Sequence, residues 1–200
     1  MDLETQFEIK KFAAAPVFFT DRKKVLDLEK TVKNLPKNSW IIFREYDLDK
    51  KNREILAQKI AKIARVKSLK MLVGKDFALA QKIKAGGAHF SDKEKIPLQF
   101  LQKKSFPKNF IFSFACHNLR SFLRIKKLPL TAIFFSPIFP TTSHPHGRAL
   151  GVNFLRKISG EKRIAKKIFA LGGINSKNIK TLRKLGIAGF GAIDLFLHNQ

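Results

Sequence analysis

Eight short apolar runs, spaced along almost the whole chain, constrain its fold more than any other feature of the sequence. The runs are rich in β-branched and aromatic residues, and the stretches between them carry lysines and apolar residues at helical spacing, as in 55–63. Strands that alternate with helices are typical of βα units and of a parallel sheet. The eight predicted strands are Val17–Thr20, Trp40–Glu45, Leu69–Gly74, Ala88–Ser91, Phe110–Ala115, Ala132–Pro137, Ile168–Gly172 and Gly189–Ile193.

Eight βα units favour closure of the sheet into a barrel. In the run that begins at Phe110, phenylalanines alternate with Ile111, Ser113 and Ala115, so we expect the bulky face under the helices and the smaller face in the lumen. We predict an α/β fold, a single (β/α)8 TIM barrel over residues 1–200, with an open doubly wound sheet as the alternative. Because only Leu195–Gln200 follow the last strand, the final helix is clipped or missing, and exposed apolar surface there would favour a homodimer.

The net charge of the chain suggests a nucleic-acid partner, but the distribution of its basic residues argues against one. The 200 residues carry a formal net charge of +25, but the lysines and arginines are spread over the predicted helices. That spread is typical of solvated outer faces, so we expect no specific nucleic acid, although binding through net charge stays an alternative. No apolar run is long enough for a membrane span, and the start lacks a secretory pattern. With Cys116 as the single cysteine, we expect a cytoplasmic protein in a reducing compartment.

Two loops near the C-terminal ends of predicted strands carry groups that suit phosphate. Residues 136–151 bring hydroxyls, His144, His146 and Arg148 into one segment that three prolines stiffen, and such a loop can donate several hydrogen bonds to phosphate oxygens. After the seventh strand, Gly172 and Gly173 allow close approach of backbone N–H groups, and we expect a helix to begin at an Asn175 cap. Loops after barrel strands are where ligands bind.

These segments, with three earlier ones, resemble the thiamine phosphate synthase/TenI family. The stretch 136–144 is similar to the family's G-P-I-F-P-T-x-T-K, and 170–174 to its A-I-G-G-I. Residues 41–46 are similar to V-Q-L-R-E-K, 79–89 to L-A-x-x-x-x-A-D-G-V-H, and 115–117 to S-x-H. The resemblance extends from about Val17 to Ile193.

The resemblance implies a reaction and a set of site residues. Family members join a hydroxymethylpyrimidine pyrophosphate to a thiazole phosphate and release pyrophosphate, with assistance from Mg²⁺. A phosphorylated heterocyclic ligand is therefore expected, and cations must stabilise the leaving pyrophosphate. By this resemblance Arg44 and His144 are the candidate catalytic residues. The candidate substrate- and phosphate-binding residues are Ser136, Thr141, Thr142, Ser143, Gly172, Gly173 and His117.

Several positions depart from the family pattern. Tyr46 replaces the lysine of R-E-K, Ile42 its glutamine, Ala115 the S-x-H serine and His144 the last lysine. Lys75 falls on one family magnesium ligand, which leaves Glu94 as the one metal carboxylate in place, so we expect Mg²⁺ binding to be weakened. Asp194 falls near a serine that contacts phosphate in the family, where a carboxylate would repel the ligand.

The departures leave two functional hypotheses from different classes. The leading one is a divergent thiamine phosphate synthase-like enzyme. The alternative is a non-catalytic or repurposed barrel that binds a thiamine precursor, or another phosphorylated ligand, in a regulatory or scaffolding role. The tautomerase branch of the family has a histidine where this chain has Pro137, so tautomerisation is not expected. For His89, at the end of the fourth strand, we weigh a core or loop hydrogen-bonding role against catalysis, and Cys116 we expect to pack as a small apolar residue rather than act as a nucleophile.

Overall fold

The structure is a computed structural model that describes residues 16–94, 107, 109–141, 148–160, 162–165 and 167–196. Eight parallel strands form a closed barrel in which each strand pairs with the next and the last pairs with the first. This confirms the predicted (β/α)8 barrel and excludes the open sheet. The strands are β1 Val17–Phe19, β2 Trp40–Phe43, β3 Lys70–Gly74, β4 Gly87–Ser91, β5 Ile111–Cys116, β6 Ala132–Phe135, β7 Ile168–Leu171 and β8 Gly189–Ala192.

Helices follow the strands on the outside of the barrel. They are α1 Leu28–Lys33, α2 Lys50–Val66, α3 Phe77–Lys82, α4 Leu119–Ile125, α5 Gly151–Ile158, α6 Lys162–Ala165 and α7 Ile179–Arg183. After β8 the described chain forms a short 3-10 helix, Asp194–Phe196. No helix in the described ranges is long and apolar enough to cross a bilayer.

Side-chain caps define where several helices begin. The carboxylates of Asp27, Asp49 and Asp76 and the amide oxygen of Asn118 accept the backbone N–H three residues further on. Such caps satisfy amides that have no partner inside the helix. Because these helices follow parallel strands, their capped ends lie at the C-terminal rim of the barrel.

The barrel lumen is filled by side chains and offers no channel. In β5, Ile111 and Ala115 belong to the lumen cluster, whereas Phe112 and Phe114 pack under the helices, which confirms the predicted assignment of the two faces. Three phenylalanines, Phe19, Phe134 and Phe169, also enter the lumen. Small residues on neighbouring strands leave space for their rings, as Gly191 does for Phe19. A packed lumen leaves the rim as the place for ligands.

Candidate functional site

An open cleft lies at the C-terminal rim of the barrel. Residues that follow β2, β6, β7 and β8 line it, and they include five of the sequence-predicted site residues: Arg44, Ser136, Thr141, Gly172 and Gly173. Active sites of barrel enzymes lie at this rim, since the loops after the strands converge there. The closed barrel therefore brings residues from distant parts of the chain into one candidate site.

The loops after β6 and β7 form one surface because two glycines allow them to touch. Gly172 and Gly173 have φ values of 90° and 66°, a left-handed conformation that side chains disfavour. A Cβ atom on Gly172 would lie 2.9 Å from Pro137 Cα, and one on Gly173 would lie 2.8 Å from Phe139 Cβ. The Phe139 N–H donates to the Gly172 carbonyl at 3.1 Å. The two predicted phosphate-binding stretches are thus parts of the same wall.

Backbone N–H groups of the β7 loop are available to a ligand. Gly173 and Ile174 line the cleft, and their N–H groups have no acceptor within the described part of the chain. The helix begins later than predicted: the Asn175 side chain accepts the Asn178 N–H at 3.2 Å, as a helix cap does, but the residues up to Asn178 form a turn and α7 begins at Ile179. Asn178 also donates its side-chain amide to the Gly173 carbonyl at 2.8 Å. Anion binding here therefore depends on loop amides rather than on a helix end.

Arg44 is anchored along one edge of its guanidinium. Its Nε donates to the Thr20 carbonyl at 2.9 Å, Nη2 lies 3.5 Å from Asp21 Oδ2, and the Phe19 ring centre is 5.7 Å from the guanidinium carbon. The side chain is 31% exposed, and its Nη1 has no hydrogen-bond acceptor in the ranges that the structure describes. An arginine held in this way keeps donors free for an anion in the cleft.

Lys24 is a cleft residue that sequence reasoning missed. Its Nζ lies 4.0 Å from Asp194 Oδ1, and both residues line the cleft. An ion pair at this distance, with Asp194 68% exposed, is weak, but Lys24 offsets the negative charge expected to repel phosphate. The signal available was its position in the basic loop that directly follows β1.

Tyr46 stands where the sequence resemblance predicts a second pyrophosphate cation, and it is a neutral group. Its ring is partly exposed, while its hydroxyl lies against Gly74. Burial of the hydroxyl raises the pKa of Tyr46 to about 12. Two cations lie near the ring centre, Lys75 Nζ at 4.9 Å and the Arg53 guanidinium carbon at 5.5 Å. The positive charge beside Tyr46 therefore comes from Lys75, which follows β3, and from Arg53 in α2.

The predicted metal position holds an ion pair. Lys75 Nζ lies 3.0 Å from Glu94 Oε1, and the Ser91 N–H donates to Glu94 Oε2 at 2.8 Å. Among the described residues there is no group of three or more His, Cys, Asp or Glu side chains that could hold a metal ion. Mg²⁺ prefers oxygen ligands, so an ammonium on the one carboxylate does not fit a divalent-cation site.

His117 lies at the same rim on the side of β4 and β5. Its ring Nδ1 is 2.7 Å from Asp92 Oδ1, and its backbone N–H donates to Asp92 Oδ2 at 3.0 Å. Burial alone would raise the pKa of Asp92, but hydrogen bonds from Ser121 and His117 bring that pKa below its usual value. His117 is not among the described residues that line the cleft, and its predicted binding role stays a prediction. Thr142, Ser143, His144 and His146 lie outside the described residues.

Two further groups have structural surroundings. His89 is buried in the lumen, with its Nδ1 2.9 Å from Ser113 Oγ and its ring edge-on to Phe19 and Phe134. Burial, and to a smaller extent the positive charge of Arg44, lower the pKa of His89 to about 3. Cys116 is buried, and burial raises the pKa of its thiol to about 12. His89 is therefore neutral and the thiol protonated near pH 7.

Comparison with known sequences finds relatives over almost the whole barrel. The family model described as "Thiamine monophosphate synthase" (TMP-TENI) matches residues 16–195. A protein named "Putative thiamine-phosphate synthase 2" from Aquifex aeolicus (strain VF5) is 34% identical over 183 residues, which are 89% of this chain and 95% of that relative. A thiamine-phosphate synthase from Actinobacillus pleuropneumoniae serotype 7 (strain AP76) is 27% identical over 143 residues, 70% of this chain and 64% of that relative.

Solved structures agree on the fold. Thiamine phosphate pyrophosphorylase from Pyrococcus furiosus superposes with a TM-score of 0.74 at 20% identity, covering 92% of this chain and 87% of that one. The resemblance predicted from five short segments is confirmed by the family model and by the Aquifex relative. The chain belongs to the thiamine monophosphate synthase (TMP-TENI) family.

Proposed function

We propose that this chain is a divergent thiamine phosphate synthase-like transferase that joins a hydroxymethylpyrimidine pyrophosphate to a thiazole phosphate. Family membership supports a role in thiamine biosynthesis. In the proposed reaction the bond from the pyrimidine methylene carbon to the pyrophosphate oxygen breaks, and pyrophosphate leaves with the electron pair. The thiazole nitrogen then forms the new carbon–nitrogen bond. The observation that carries the proposal is one cleft lined both by Arg44 and by the loop after β7 with its free N–H groups.

The cleft offers two kinds of anion site, and the two substrates carry two phosphorylated groups. We assign the thiazole phosphate to the loop side, where Gly173 and Ile174 present N–H groups and Ser136 and Thr141 present hydroxyls. Donors held by backbone geometry suit a group that stays bound through the reaction. Lys24, also in the cleft wall, adds positive charge.

Arg44 then serves the leaving pyrophosphate. Charge builds on that group as its bond to carbon breaks, so a cation aimed at it stabilises the transition state more than the ground state. Contacts with Thr20, Asp21 and Phe19 hold the guanidinium in place beforehand, which reduces the reorganisation needed during reaction. A cytoplasmic location, a homodimer and the lack of a specific nucleic-acid partner stay predictions from the sequence.

Turnover by the purified full chain tests the proposal. With both substrates, with and without Mg²⁺, we expect thiamine phosphate and pyrophosphate to form in equal amounts, measured by chromatography and by a coupled phosphate assay. Arg44→Gln should lower kcat/KM by about 100-fold, since it removes a charged donor to the leaving group. Arg65→Gln is the control, because Arg65 also donates to a backbone carbonyl, that of Ile83, but just before β3 at the opposite rim. Lack of product from the folded wild-type chain would contradict the proposal.

A second candidate is a barrel that binds the same ligands without turning them over. The neutral Tyr46 and the Lys75–Glu94 pair favour it, because they stand where the resemblance places a cation and a metal. Calorimetric binding of thiazole phosphate or thiamine phosphate without product formation would support this candidate over the transferase. Absence of binding would remove both.

A further inference from the structure

We propose that the Lys75 ammonium takes the place of a divalent cation, so that the barrel rim on the Arg44 side binds pyrophosphate without Mg²⁺. The inference rests on the proposed function, because it assumes that pyrophosphate is a ligand. Lys75 directly follows β3, and Glu94 lies three residues after β4, so neighbouring strands of the barrel deliver both groups to the same rim.

The contact between the two side chains is close and specific. Lys75 Nζ is 3.0 Å from Glu94 Oε1, an oxygen that is buried and has no hydrogen-bond partner of its own among the described residues. A buried carboxylate oxygen is costly unless a positive charge compensates it. The ammonium supplies that charge, and the Ser91 N–H holds the other oxygen at 2.8 Å. This carboxylate already has its cation.

The sum of formal charges indicates that Lys75 replaces the metal ion rather than merely removing its site. Two carboxylates with one divalent cation sum to zero, and one carboxylate with one ammonium also sums to zero. A lysine at one of the two ligand positions therefore keeps the net charge that pyrophosphate meets while removing the need for an ion from solution. A neutral residue at position 75 would instead leave the negative charge of Glu94 uncompensated and facing an anionic ligand.

The ammonium lies beside an opening that Arg44 lines. Arg44 and Tyr46 line this second opening on the β2 side of the rim, together with Lys23 and the carboxylates of Asp21, Glu45 and Asp47. Lys75 Nζ lies 4.9 Å from the Tyr46 ring centre. Lys75 is 51% exposed, and an ammonium has three donors. One donor can face Glu94 while the others contact pyrophosphate oxygens next to the guanidinium.

Binding of inorganic pyrophosphate to the full chain, measured by calorimetry in EDTA and in excess Mg²⁺, tests the inference. For the wild type we expect dissociation constants that agree within about threefold between the two conditions. Lys75→Asn should weaken binding at least about tenfold in both conditions, since a charged donor is lost. Lys75→Asp should weaken pyrophosphate binding in EDTA, and its affinity should increase at least about tenfold in Mg²⁺. The reason is that a second carboxylate beside Glu94 can bind the metal ion.

The substitutions and the control are matched for backbone conformation. Lys75 has φ of 60°, and Lys84, an exposed lysine before β4 at the opposite rim, has φ of 52°. Asn and Asp adopt this left-handed region more readily than other residues with side chains, so the variants should fold, which thermal melts will verify. Lys84→Asn should leave pyrophosphate affinity unchanged.

The outcomes separate this inference from the proposed function. Wild-type binding that requires Mg²⁺, or Lys75→Asn binding as tightly as the wild type, would overturn the inference and leave the proposed function standing. No pyrophosphate binding by the wild type in either condition would contradict the proposed function and the inference with it. Titration with Mn²⁺ alone, followed by electron paramagnetic resonance, adds a direct readout: we expect no bound ion in the wild type and a bound ion in Lys75→Asp, and the reverse pattern would overturn the inference.

Discussion

The two halves of the barrel rim present charge and hydrogen bonds by different means. In the loop half, residues 136–141 and 172–175, the donors include backbone N–H groups whose positions depend on Gly172 and Gly173. In the side-chain half, residues 44–46, 75 and 92–94, the charges belong to Arg44, Lys75 and Glu94. The loop half keeps the G-P-I-F-P-T and A-I-G-G-I patterns almost intact, whereas the side-chain half departs from R-E-K and from the metal ligands.

Backbone sites and side-chain sites therefore tolerate substitution differently. A backbone site depends on left-handed glycines and on close contact between two loops, so one added methyl group disturbs all its donors together. A side-chain site can exchange one charge for another while its sum stays constant, as Lys75 with Glu94 illustrates. Three predictions test how far this contrast holds.

The largest effect is expected in the loop half. Gly173→Ala should lower the free energy of unfolding by about 3 kcal/mol, since the added Cβ combines a positive φ with overlap against Phe139 and Pro140. Gly186→Ala is the matched control: its φ is 64°, but nothing lies within 4 Å of its Cβ position, so about 1 kcal/mol is expected. Urea denaturation measures both. Equal losses in the two variants would show that loop contact adds nothing to backbone strain.

The second prediction concerns His89, which is buried in the lumen beneath both halves of the rim. The pKa of His89 is 6.5 in the unfolded chain and about 3 in the folded chain. Below pH 6.5 the imidazole is therefore protonated in the unfolded chain but stays neutral in the folded chain. Stability should therefore fall as pH drops from 6.5 toward 3, by about 2 kcal/mol between pH 7 and pH 5. In His89→Gln, which keeps a partner for Ser113, most of this loss should disappear. Urea denaturation at the two pH values measures it, and an unchanged slope would place the titration elsewhere.

The smallest effect concerns Tyr46, where the comparison can be sharpened to one group of atoms. The two cations lie against the ring, so Tyr46→Phe should change the unfolding free energy by less than about 0.5 kcal/mol. Tyr46→Leu removes the aromatic face and should cost about 1 kcal/mol. Thermal or urea unfolding compares the two variants. A cost for Phe as large as the cost for Leu would assign the role to the hydroxyl instead.

Much of the fold was predictable because its signals are local. Alternation within each run and helical spacing between runs report which segments are strands, and all eight strands were found within two residues of their predicted bounds. The Gly172-Gly173 pair was also visible, since left-handed backbone selects glycine. The helix start near Asn175 was predicted too early: its side chain accepts the Asn178 N–H as a cap does, but these residues form a turn before α7 begins at Ile179, since a side-chain amide closes a turn as readily as it caps a helix.

By itself, the sequence determined the barrel, the two loops at its rim and the family to which they belong, since periodicity and short motifs are properties of neighbouring residues. Only the tertiary structure decided which charges meet. It brought Lys24 into the cleft wall, paired His117 with Asp92 and set Lys75 against Glu94. The physical reason is that ion pairs depend on distances of a few ångströms between side chains far apart in the chain, and closure of the barrel sets those distances.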